Sequence, residues 1–136
     1  MNGRVVSVWL WVLVAMLAAC KRDDAVRETA AEVEVLADAI VVAVRQAETP
    51  AEGVAAAQAL LDARASALTS RMDEVRALRS SQVSDEVRVE LGRTLTRALM
   101  KVRAVEADLI ADTLRDDALR QALDRLVADF QAIVGL

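Results

Sequence analysis

The stretch "ADTLRDD", residues 111–117, lies between two apolar stripes and contains neither glycine nor proline. Upstream, Val87, Leu91, Leu95, Ala98, Val102, Val105 and Leu109 recur at steps of three and four. Downstream, Leu119, Leu123, Leu126, Phe130 and Ile133 do the same. That spacing is the signature of amphipathic helices with one buried face. The apolar phase can continue through Asp112 and Asp116, so two readings stand. In one, the chain turns at residues 112–117, with Thr113-Leu114-Arg115-Asp116 capping a further helix. In the other, a single helix runs from Ser84 to about Val134. Such a rod of about 50 residues would reach about 75 Å. Its last stripe would then lie bare unless a second molecule covered it. The turn lets that stripe fold back onto the other helices, and it is the expected arrangement.

Two more helices precede this region. Val26, Ala30, Val33, Ala37, Ile40, Val44 and Ala47 form a heptad-type stripe, with Leu36 and Val41 beside it. The stretch "AETPAEG", residues 47–53, punctuates the chain. Thr49-Pro50-Ala51-Glu52 reads as a capping box with proline at the first helical position. A second helix then carries Val54, Ala57, Leu61, Ala65, Leu68, Met72, Val75 and Leu78. It ends in the polar run "RSSQVSD", residues 79–85, where Ser84 is placed to cap the third helix ahead of Asp85 and Glu86. Gly92 falls inside that third helix. It reads either as a close helix contact or as a tolerated surface residue, and the surface is expected. The fold expected is all-α, an up-down-up-down four-helix bundle over residues 25–136. The alternative is a three-helix arrangement with one long C-terminal helix.

The N-terminus is of another kind. Arg4 precedes "VVSVWLWVLVAMLAA", residues 5–19, broken only by Ser7. A charged start, an apolar centre and a small-residue end are the three parts of a secretory signal. A permanent span needs about 20 apolar residues, and this run is shorter before it meets Lys21-Arg22-Asp23-Asp24. The single cysteine of the chain, Cys20, follows directly.

Leu17-Ala18-Ala19-Cys20 resembles the lipobox of bacterial lipoproteins. The resemblance covers only the first 20 or so residues. It implies that residues 1–19 are a cleaved signal peptide and that Cys20 becomes the first mature residue. The Cys20 thiol would then carry the acyl chains of the anchor, palmitate among them, because the thiolate is the nucleophile that takes the lipid. Two or three chains hold a protein durably where one is marginal, since each buried methylene contributes about 0.8 kcal/mol. Residues 20–24 become a lipidated tether. The family places such proteins in the bacterial cell envelope. Lys21, rather than aspartate, after the cysteine implies the periplasmic face of the outer membrane if the source has one.

Composition narrows the function classes. The chain has 136 residues, 17 Lys and Arg against 21 Asp and Glu, and no histidine. A mildly acidic balance disfavours nucleic-acid binding, which wants a basic footprint. Without histidine and with one cysteine, the usual general base, the imidazole ligands and any intrachain disulfide are missing. No glycine-rich phosphate loop occurs. The expectation is no catalytic residue, no metal and no cofactor, hence not an enzyme. The helical pattern also loosely resembles the bundles of periplasmic b-type and c′-type cytochromes. Haem does not carry over, because no histidine exists for axial ligation.

Two candidate sites remain. Asp112 and Asp116 are four apart and could share a buried proton; a solvated turn is the plainer reading. Arg93, Arg97 and Lys101 sit four apart on one face of the third helix. Residues 71–103 carry eight basic side chains against five acidic, while residues 21–52 carry four against eight. That stripe is either a docking face for an anionic partner or the match of one helix to another. The expected role is structural, adaptor or binding, with an envelope protein as partner. The alternative is an oligomerising helical subunit of a larger envelope complex.

Overall fold

A computed structural model describes the backbone of residues 3–135 and the side chains of residues 22–135. The described chain is all helix: α1 (Gly3–Gln46), α2 (Pro50–Ala77), α3 (Asp85–Asp108), a single turn α4 (Ile110–Thr113) and α5 (Asp117–Val134). A 3-10 turn, Ser80–Gln82, bridges α2 and α3. Among the described residues no strand occurs, and no helix is long and apolar enough to cross a membrane. The readings of residues 1–19 as a signal peptide and of Cys20 as lipid carrier rest on side chains outside the described residues.

The helices end where local chemistry says they should. Pro50 opens α2, and the Thr49 hydroxyl accepts from the Glu52 N–H at 3.3 Å. The Ser84 hydroxyl accepts from the Val87 N–H at the start of α3. Gly135, at φ 68°, closes α5 in the left-handed conformation that glycine adopts without penalty. The Arg76 guanidinium donates to the Ile133 carbonyl beside it at 3.0 Å, satisfying one of the helix's orphan acceptors.

The chain breaks after α3, so the long C-terminal helix of the alternative reading does not form. Leu109 leaves the helix at φ −101°, ψ 9°, and α4 uses up one turn. The cap of α5 is not Thr113 but Asp116, whose carboxylate accepts from both the Ala118 and Leu119 N–H groups at 2.9 and 3.0 Å. An ionised acceptor at the positive end of a helix outcompetes a hydroxyl. The Thr113 hydroxyl instead donates to the Ile110 carbonyl inside α4.

One core joins α1, α2, α3 and α5. It is built of Val33, Leu36, Ile40, Leu61, Met72, Val102, Leu126, Phe130 and their neighbours. Nearly every stripe residue anticipated above is buried; Ala47, Ala65, Val75, Leu78, Leu91 and Leu109 are half-buried. Val26, Val83 and Val87 form a smaller cluster where α1 meets the α2–α3 connection. α1 packs on α2 and α3, and α5 packs on α2 and, less extensively, on α3. α1 and α2 come backbone to backbone at Gly53. A Cβ there would stand 2.8 Å from the Val44 carbonyl oxygen and 2.9 Å from its Cα. Gly92 is the opposite case, with nothing within 4 Å of its missing side chain.

Candidate functional site: the charged seam between α1 and α3

Most of the ion pairs between helices, among the described residues, lie along the α1–α3 contact. Arg27 Nε pairs with Glu90 at 3.3 Å. Glu34 accepts from Arg97 at 3.2 Å and from Lys101 at 3.3 Å. Asp38 accepts from Lys101 at 2.7 Å, and Arg45 donates to Asp108 through Nε and Nη2 at 3.0 and 2.7 Å. The hydrogen-bonded pairs Arg27–Glu90, Arg45–Asp108, Arg97–Glu34 and Lys101–Asp38 share one sequence separation, 63 residues. A constant difference in number along a contact means that the two helices run in the same direction; antiparallel helices would hold the sum constant instead. The α1–α2 contact shows the antiparallel case, with Arg71 on Glu28 and Glu32 while Gly53 meets Val44.

This geometry accounts for the basic stripe. Arg97 and Lys101 face α1, where its carboxylates hold them. Of the three, Arg93 alone is exposed without an ion pair among the described residues. The Asp38 carboxylate, hydrogen-bonded to the Lys101 ammonium, holds that group above the ordinary lysine pKa, with Glu34 adding to the effect. The matching was visible in the residue order. Arg27, Glu34, Asp38 and Arg45 step by seven, four and seven, and Glu90, Arg97, Lys101 and Asp108 repeat those steps with every sign reversed. Comparing the two helices, rather than counting charge per segment, would have found the seam. These pairs are partly or largely exposed, so water screens them and each adds little to stability; their weight lies in register and partner choice.

The acidic pair is resolved in the same way. Asp112 and Asp116 are both exposed. Asp116 is a helix cap, and its N–H donates to the Asp112 carbonyl. Among the described residues no group of three or more His, Cys, Asp or Glu could hold a metal ion.

A third polar centre joins α2 and α5. The Gln58 amide nitrogen donates to Asp62 at 2.8 Å and to Asp129 at 2.9 Å. Its carbonyl oxygen, Oε1, is buried without a partner. Beside it runs an open groove of about 490 Å³, floored by Ala51, Ala55, Ala59, Ala118 and Ala122. Nothing in the sequence singles out Gln58, since one glutamine in an alanine-rich helix reads as surface.

No family model, curated protein or solved structure matches this chain.

Proposed function

We propose that this chain is a small bacterial envelope lipoprotein whose helical domain serves as a structural or adaptor module. The observation that carries the reading is Leu17-Ala18-Ala19-Cys20, a small-residue cleavage end with the only cysteine at its close, directly after a short apolar run. Cleavage before Cys20 leaves a lipidated domain at the membrane surface, on the outer membrane where Lys21 decides sorting. The domain works without catalysis, its function resting on surfaces rather than on a reacting group. Its partner is an envelope protein.

The four long helices, in this reading, make an up-down-up-down bundle. The parallel α1–α3 seam, the antiparallel α1–α2 contact and the Arg76–Ile133 contact between the C-terminal ends of α2 and α5 support it. The break at Leu109 also weighs against the oligomerising subunit, because α5 buries its stripe within its own chain.

Mass spectrometry of the mature protein, isolated from bacterial membranes with detergent, tests the proposal. The expected result is an N-terminus at Cys20 with the mass of the acyl chains on it. Cys20→Ser is expected to accumulate as an uncleaved, unlipidated precursor. A mature chain without lipid on Cys20 would overturn the reading.

A further inference from the structure

The lipid on Cys20 and the folded domain are closer together than a tether would make them. Residues 22–24 belong to α1 rather than to a loose leader. The Asp23 carboxylate accepts from the Ser84 N–H at 3.0 Å, which fastens this part of α1 to the N-terminal end of α3. Three residues on, Val26 is fully buried against Val83 and Val87. The Ser84 N–H also holds the Asp23 carboxyl below the usual aspartate value, as expected of a carboxylate that is hydrogen-bonded in its charged form. Three peptide units separate Cys20 from Asp23. Even fully extended they span at most about 11 Å, whatever conformation they take.

We infer that the end of the bundle formed by the α2–α3 connection and residues 22–26 of α1 is its membrane-facing surface, lying on the phospholipid headgroups. The inference rests on the lipid anchor proposed above. The domain stands on this end because the chain is too short to let it swing away. Arg22, exposed, and Arg79, at the start of the 3-10 turn, make no ion pair among the described residues. The neighbouring Arg27, Arg76 and Arg88 are each held by carboxylates of the same end or of the seam. Two guanidiniums without an ion pair among the described residues suit the phosphates of a headgroup layer, which accept their forked donors. The opposite end, with the α1–α2 turn and α4, is then held out from the membrane. From Asp23 to Gln46 is 23 helical steps, about 35 Å at 1.5 Å each.

Depth-dependent fluorescence quenching tests the orientation on the full lipidated protein. Cys20 is blocked by its lipid, so a thiol-reactive fluorophore labels only an introduced cysteine. Ser80→Cys places it at the proposed membrane end, and Leu114→Cys at the far end. The protein is reconstituted in phosphatidylcholine vesicles containing a lipid with a spin-labelled headgroup. Strong quenching at position 80 with little at position 114 is the expected result. A further variant with about ten Gly and Ser residues inserted after Lys21 adds a coil of about 17 Å; it is expected to bring the ratio of the two quenching constants towards one. Equal quenching at both positions, on protein whose Cys20 lipid mass has been verified, would overturn the orientation and leave the anchor standing. An absent lipid mass would instead overturn the anchor, and with it the ground for the orientation.

Discussion

Gly53 of α2 lies so close to Val44 of α1 that a methyl group in its place would meet backbone 2.8 Å away. Backbone cannot swing aside as a long side chain can, so the two helices approach to the distance that a hydrogen atom allows. Gly53→Ala should therefore destabilise the domain by about 1–3 kcal/mol, the usual cost of overpacking, despite the helix propensity it adds. Gly92→Ala meets open space and should stabilise by up to about 1 kcal/mol. Urea midpoints of the two variants should move in opposite directions. Two shifts of the same sign would mean that the α1–α2 contact is not made at Gly53.

Magnitudes separate core from seam. Leu61, Leu95 and Leu123 are all buried, and each change to Ala should cost about 2–5 kcal/mol. Arg45→Ala removes an exposed pair to Asp108 and should cost no more than about 1 kcal/mol. Asp108 is the last residue of α3, where the helix dipole is unfavourable to a carboxylate. Removing its arginine is then expected to affect stability more in low salt than in high. A loss from Arg45→Ala as large as that of a core leucine would contradict the assignment of the seam to register.

The helices were legible because burial imposes the 3.6-residue period on the apolar residues, as in Val33, Ala37, Ile40 and Val44. The caps at Thr49 and Ser84 were legible because a hydroxyl beside a helix start has one local task. Relations between distant helices were harder. Gly53 read only as punctuation after Pro50, since its role depends on which turn of α1 stands opposite. Arg97 and Lys101 read as a stripe that either docks a partner or matches another helix; the structure shows the match, but the carboxylates that make it lie 63 residues or more upstream and no local pattern names them. Asp116 was hidden because Thr113 and Asp116 both satisfy the local rules for a cap, and only the course of the chain after Leu109 chooses between them.

The seam should also show itself at high pH. The Lys101 ammonium has its pKa raised above the ordinary lysine value, first by the hydrogen bond to Asp38. A raised folded pKa means stability that is fully present below about 10.5 and lost as pH climbs through the folded value. Arginine stays charged there, and the chain has no tyrosine or histidine to blur the profile. Urea midpoints of a fragment spanning residues 22–136, taken from pH 9 to 12, should fall in the wild type. Lys101→Met should flatten that fall. Parallel curves for the two proteins would show that Lys101 is not charged against Asp38 in the folded state.

The connection after α3 decides whether the domain is self-sufficient. Asp116 accepts two N–H groups at the start of α5. Asp116→Ala leaves both without that partner and should cost about 1 kcal/mol, within the usual range for lost caps. Asp116→Asn keeps the acceptor and should cost much less. A few residues inserted between Leu114 and Arg115 fall in an exposed turn, and the added loop length is entropically cheap. The inserted protein should keep its helicity and remain a monomer. Small-angle scattering of the residue 22–136 fragment should give a radius of gyration near the 13 Å expected for a compact chain of that length. A particle approaching 75 Å, or a dimer that the insertion disrupts, would mean that α3 and α5 join as one rod. The stripe of Leu119, Leu123, Leu126, Phe130 and Ile133 would then be covered by a second molecule. The compact monomer is expected because all five of those residues are already buried against α2 and α3 of their own chain.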